Sequence, residues 1–189
     1  CCGDYPAVFG WELGGLETGA DRSIDDVPFA EITRLLCAAY GRGAVNTVSW
    51  HPQNPESGAS AWDGKTSTAV SSILPGGANH AQFRLWLDRL AGFFVGLKSA
   101  DGTCVPVLFR PFHEHTGSGF WWGEAQCTPD EYKALWRFTV EYLRDVKGVH
   151  NLLYVYSPDL YRDAEHYTER YPGDEWVDVL GLDAYHRPQ

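Results

Sequence analysis

Short apolar runs rich in β-branched and aromatic residues alternate along this chain with longer amphipathic stretches. No two of these runs are joined by a two-residue hairpin signal. The runs cover residues 8–12 (VFGWE), 45–50 (VNTVSW), 105–109 (VPVLF), 152–156 (LLYVY) and 178–182 (DVLGL). Each is entered from a helical stretch, a pattern that predicts βαβ units and a parallel sheet. The first helix is expected over 27–40, with Asp26 as N-cap, Pro28 in its first turn and Gly41 after its end. The second, over 80–99, carries Phe83, Trp86, Leu87, Leu90, Phe93, Phe94 and Leu97 on one stripe, the apolar side of a layer packed on a sheet. Thr128-Pro129-Asp130-Glu131 forms a capping box that opens a third helix ending near Gly148. Between residues 51 and 79 lies a loop rich in Ser, Gly, Asn and Pro, long enough to be functional. The stretch before the last strand is charged and helix-poor, with Arg162, Glu165 and Arg170.

Polar and aromatic residues crowd the carboxyl ends of the expected strands: Trp11-Glu12, Trp50-His51, Arg110 to Glu114, Ser157-Pro158-Asp159 and Asp183 to Tyr185. In parallel α/β architectures that edge hosts the chemistry. A doubly wound sheet would carry a Gly-rich phosphate turn after its first strand, and Gly10-Trp11-Glu12-Leu13-Gly14-Gly15 has the wrong spacing for one. The pattern favours α/β units of a (β/α)8 barrel. Such a barrel typically takes about 250 residues, so 189 residues with five units make an incomplete one.

Composition narrows the function. With 15 Lys+Arg against 25 Asp+Glu the formal charge is −10, and the basic residues are scattered. Binding to a phosphate backbone needs them clustered, so no nucleic-acid partner is expected. No apolar run approaches the roughly 18 residues of a membrane span. The first residues, CCGDYP, show neither a basic nor an apolar signal segment. The five cysteines, at 1, 2, 37, 104 and 127, make no C-x-x-C pair and no zinc spacing. Eight Trp, ten Tyr and nine Phe are the notable excess, several of them among turn residues. Rings exposed in that way stack on the apolar faces of sugars.

The strongest stretch is Arg110-Pro111-Phe112-His113-Glu114-His115-Thr116-Gly117-Ser118-Gly119-Phe120-Trp121-Trp122-Gly123, directly after a strand. It reads as a general acid/base Glu at a strand end, flanked by cationic or hydrogen-bonding partners and an aromatic wall. Other chemistries fail on spacing. His113-Glu114 is not H-E-x-x-H, because position 117 is Gly, and Ser118 lacks the glycine at 116 that a nucleophile elbow needs. A metal held by His51, His113 and His115 is a minor alternative, and no metal or other cofactor is expected.

R-P-F-H-E-x-T-G followed by W-W-G resembles the signature of glycoside hydrolase family 26, chiefly β-mannanases among the retaining (β/α)8 glycosidases. Phe9-Gly10-Trp11-Glu12, Val48-Ser49-Trp50-His51-Pro52, Tyr156-Ser157-Pro158-Asp159 and Gly181-Leu182-Asp183-Ala184-Tyr185 look like further landmarks of that family in the same order. The resemblance implies that the chain runs from the family's second strand to its sixth, without the first and the last two. It implies a retaining endo-β-1,4-mannan hydrolase with Glu114 as acid/base. His51 and His113 become ligands of the sugar, Tyr185 the residue that holds the nucleophile with Asp183 close by, and Arg110 the charge that keeps the nucleophile ionised. Trp121 is the expected stacking floor with Trp122 behind it, one of the two buried as packing, and Phe120 and Tyr156 complete the expected sugar-binding set.

Retaining glycosidases need two carboxylates about 5 to 5.5 Å apart. The resemblance puts the nucleophile, a Glu after a seventh strand, beyond Gln189, and implies that residues 1–189 alone are inactive. The expected partners are β-mannan or a related polysaccharide and its oligosaccharides. An extracellular or periplasmic site follows from that substrate. Gly119 stands where many family members have Trp, which implies a wider cleft on the leaving-group side. A relative acting on β-1,3-xylan or mixed-linkage β-glucan, and a carbohydrate-binding protein without turnover, are the alternatives.

Overall fold

The structure is a computed structural model that describes residues 3–185; Cys1 and Cys2 lie outside the described residues. Five strands form one parallel sheet in chain order: β1 (Val8–Glu12), β2 (Val45–Trp50), β3 (Val107–Pro111), β4 (Leu152–Tyr156) and β5 (Val179–Leu180). Strands that run in the same direction require crossovers. The connections hold α1 (Phe29–Gly41), α2 (Ala69–Ile73), α3 (His80–Gly96), α4 (Pro129–Glu141) and α5 (Ala164–Thr168). The order, with each strand beside its sequence neighbour, is that of consecutive units of a (β/α) barrel.

Strand alternation sets which side chains meet the helices. In β2, Asn46, Val48 and Trp50 are buried while Val45 is exposed and Thr47 and Ser49 are half-buried. Val48 and Trp50 join the α3 stripe of Phe83, Trp86, Leu87, Leu90 and Phe94 in one hydrophobic core, with Phe93 at its margin. Fully burying each such side chain contributes about 1.5–3 kcal/mol. The α4 capping box forms as its sequence predicts: Thr128 accepts from the Glu131 N–H, and the Glu131 carboxylate accepts from the Thr128 N–H.

Some boundaries differ from expectation, each for a local reason. Pro28, not Asp26, is the residue before α1, and no side chain caps that helix. Asp26 sits in a left-handed turn at φ 61° and pairs instead with Arg22. The third strand begins at Val107 rather than 105. Val105 gives its N–H to Leu97 O, Pro106 has none to give, and the ladder toward β4 starts when Val107 N–H reaches Asn151 O. The charged stretch before β5 contains the short helix α5, capped by Asp163, which accepts from the His166 N–H. β5 is only two residues, but Gly181 N–H to Tyr156 O and Asp183 N–H to Pro158 O carry its pairing further.

Candidate active site

The register aligns Glu12 with Ser49 and Ser49 with Arg110, a polar row across the carboxyl ends of three strands. With Gly10, Trp11, Asp25, Thr47 and His51, these residues line a hollow of about 340 Å³. The Glu12 carboxylate accepts four hydrogen bonds: Gly14 N–H at 2.5 Å, His51 N–H at 2.9 Å, Ser49 Oγ at 2.8 Å and His51 Nδ1 at 2.7 Å. On its far side the His51 ring meets His113, with Nε2 to Nε2 at 3.0 Å. Both nitrogens of His51 are therefore engaged within the protein.

After β3 the chain turns sharply, with Phe112 at φ 47° and Glu114 at φ 53°. Non-glycine residues in that region are costly, on the order of 1–3 kcal/mol each, and persist where surroundings over-determine them. Here the Tyr132 hydroxyl donates to Phe112 O at 2.8 Å, Trp122 Nε1 donates to His113 O at 2.8 Å, and Glu114 N–H reaches Ser157 O at 2.9 Å. The turn buries His113 on one side and leaves Glu114 half-buried. The Tyr185 hydroxyl donates to the Glu114 carboxylate, and this contact together with partial burial pushes the Tyr185 phenol up to about 12.

Arg110 pairs with Asp183 at 2.7 Å, and the same carboxylate oxygen accepts from Ser157 Oγ at 2.8 Å. Burial raises the Asp183 carboxyl above the usual range, against the opposing pull of Arg110 and Ser157. Thr116 Oγ1 donates to Asp159 Oδ1 at 2.8 Å, joining the loops after β3 and β4.

The structure thus brings Glu114, Arg110, Asp183, Tyr185, His51 and His113 to one end of the sheet. It encloses most of the expected aromatic set. Trp121 is fully buried, its indole N–H donating to Pro52 O, and Trp122 behind it is equally enclosed. Neither ring has an exposed face. Phe120 is buried, stacked on Trp122 at 4.6 Å, and Tyr156 is buried with its hydroxyl on Tyr167 O. His113 is only 2% exposed, and its ring contact is His51. The loop after β3 closes over its own rings, His113, Phe120, Trp121 and Trp122, and so excludes water, whereas Tyr156 is buried from β4 against Trp136, Tyr167 and Tyr171.

Among the described residues Tyr185 stays exposed, and a further outward-facing ring is Trp62, 54% exposed on the long loop after β2. It stacks on His51, with ring centroids 5.1 Å apart and planes within 14°. Its sequence signal was an aromatic residue among Ser, Gly and Asp in a long loop, which did not separate it from other loop aromatics. Gly119 is exposed, and a Cβ there would meet nothing within 4 Å. The three histidines at 51, 113 and 115 do not converge on a metal. His115 points elsewhere, buried between Tyr132 and Tyr156, with neither ring nitrogen hydrogen-bonded.

The comparisons with known proteins agree with this fold. The model of glycosyl hydrolase family 26 matches residues 1–189. A mannan endo-1,4-beta-mannosidase of Bifidobacterium adolescentis is 45% identical over 97% of this chain and 19% of its own length. One from Bacillus subtilis (strain 168) is 32% identical over 97% of this chain and 51% of its own. The solved GH26 beta-mannanase BoMan26A of Bacteroides ovatus superposes with a TM-score of 0.96 at 47% identity, covering 98% of this chain and 54% of that one. The chain spans about half or less of the length of these relatives. With the family model matched from first residue to last and a parallel sheet that follows a solved member closely, the chain belongs to glycosyl hydrolase family 26.

Proposed function

We propose that the protein containing these residues is a retaining endo-β-1,4-mannan hydrolase in which Glu114 is the general acid and base. The observation that carries the proposal is the setting of Glu114: a carboxylate in a strained turn at a strand end, half-buried and bonded by the Tyr185 hydroxyl. The names of the relatives, mannan endo-1,4-beta-mannosidases, support the substrate.

In the first step Glu114 gives its proton to the glycosidic oxygen while a second carboxylate attacks the anomeric carbon. In the second step Glu114 takes a proton from the water that releases the sugar. The second carboxylate is proposed to be a Glu following a further strand, in the part of the relatives' length that these 189 residues do not span. Arg110, beside Asp183, supplies positive charge near the reacting carboxylates. Trp62 provides the stacking face, and the open space at Gly119 accommodates a broad chain on the leaving-group side. A polymeric substrate of this kind is met outside the cell or in a periplasm.

The test is Glu114→Gln in the full-length protein. The glutamine has no proton to give, so mannan hydrolysis falls by orders of magnitude while calorimetry still detects mannooligosaccharide binding. An unchanged rate would remove Glu114 from the role.

A further inference from the structure

His51 and His113 share a single proton between facing Nε2 atoms 3.0 Å apart, so one nitrogen must donate and the other accept. Which way round is decided by the groups at the outer ends of the pair. At the His51 end stands Glu12, which accepts 2.7 Å from Nδ1 and is itself held by Gly14 N–H, His51 N–H and Ser49 Oγ. A carboxylate with those partners acts as an acceptor, and it fixes a proton on His51 Nδ1. At the other end, His113 Nδ1 is buried with the Arg110 carbonyl nearby, but no acceptor among the described residues meets it in hydrogen-bonding geometry. A bare lone pair there is less costly than a buried N–H without an acceptor.

We propose that Glu12 is a positioning residue that sets the proton order of this pair: His113 Nε2–H donates to His51 Nε2, and His51 Nδ1–H donates to Glu12. Both rings are then neutral and locked in one orientation. Burial, with the nearby Arg110 charge, independently holds the His113 imidazole down at about 2, which agrees with a neutral ring. The lock matters because of what rests on it. Trp62 stacks on the His51 face, and His113 is the residue before Glu114 in the strained turn. Glu12 thereby holds the sugar-stacking ring and the turn of the acid/base residue in one rigid unit, a consequence for turnover that rests on the proposed role of Glu114.

The prediction for Glu12→Gln follows from the amide. Its oxygen can keep the two backbone N–H donors, which leaves the NH₂ group facing His51 Nδ1. Donor then meets donor, so the His51 proton must move to Nε2. His113 must in turn move its own proton to Nδ1, toward the Arg110 carbonyl, or swing away.

Nitrogen NMR of histidine-labelled full-length protein reads these tautomers directly. The wild type is expected to show His51 protonated on Nδ1 and His113 on Nε2, and Glu12→Gln to show His51 protonated on Nε2. By analogy with carboxylates that orient ligand histidines, kcat/KM should fall about tenfold to a hundredfold in the variant, with a native melting transition. Wild-type His51 protonated on Nε2, or His113 on Nδ1, would overturn the proposal, and so would an unchanged His51 tautomer in the variant. The wild-type spectrum decides even if the variant fails to fold. It also decides if the protein fails to cleave mannan, which would count against the role of Glu114 and not against the proton order.

Discussion

Arg110 Nη1 lies 2.7 Å from Asp183 Oδ2, an ion pair that ties the end of β3 to the segment following β5 across 73 residues of sequence. Both side chains are about four-fifths buried, so the pair is shielded from salt but not dry. Removing one partner strands the other in a poorly solvated place. Arg110→Met is therefore expected to destabilise the protein by about 1–3 kcal/mol, less than a fully buried pair would lose. Arg110→Met/Asp183→Asn should recover part of that loss. Urea denaturation of the single and double variants measures both, and an unchanged midpoint in Arg110→Met would contradict the assignment.

Trp62 and Trp121 should respond in opposite ways. Trp62 is exposed, so Trp62→Ala leaves the fold intact and removes a stacking face worth roughly 1 kcal/mol. The result is a KM raised about fivefold with little change in kcat. Trp121 is packed against Phe112 and Trp122, and Trp121→Ala should cost about 3–5 kcal/mol of stability. Steady-state kinetics and thermal melts separate the two. A Trp62→Ala variant with an unaltered KM would remove the platform from the substrate path.

His115 gives the fold an acid sensitivity. Its ring is buried, and burial, with Arg170 and His166 nearby, keeps it well below the ordinary imidazole value of 6.5. Above that pH the ring is neutral whether folded or unfolded and contributes no pH dependence. Below it, the unfolded chain takes up a proton that the folded chain refuses, so stability falls as pH falls, by about 1.4 kcal/mol per pH unit for one proton. His115→Phe keeps the ring packing and removes the proton. Its unfolding free energy should decline less steeply with acid than the wild type's, by one proton's slope. Equal slopes would show that His115 is protonated in the folded state.

Much of the fold was legible because local signals agreed with one another. The Thr128 capping box, the α3 stripe and the five apolar runs each appear where periodicity and cap chemistry put them. Boundaries shifted where backbone donors decided them: Pro106 has no N–H, so the third strand started two residues late. The position of Glu114 at a strand end was readable. Exposure was not. In LLYVY every residue is apolar, so alternation alone gave no reason to turn Tyr156 toward the helices while Leu153 faces out. In the same way adjacent Trp121 and Trp122 read as a stacking floor with one ring buried as packing, whereas both rings are enclosed and pack with Phe112 at the strained turn. The Glu12–His51–His113 chain was hidden because its members lie at or just past the ends of three strands, far apart in sequence and brought together by the parallel pairing of those strands.

The role of Glu114 is tested most directly by chemical rescue. Glu114→Ala in the full-length protein should hydrolyse mannan at a residual rate but still form the glycosyl-enzyme from an aryl mannobioside with a good leaving group, which needs no acid. Without a base, that intermediate should accumulate as a burst. Added azide, which needs no deprotonation to attack, should restore turnover and yield a β-mannobiosyl azide. A variant that azide fails to accelerate, or that yields the α-azide, would contradict Glu114 as the acid/base of a retaining mechanism.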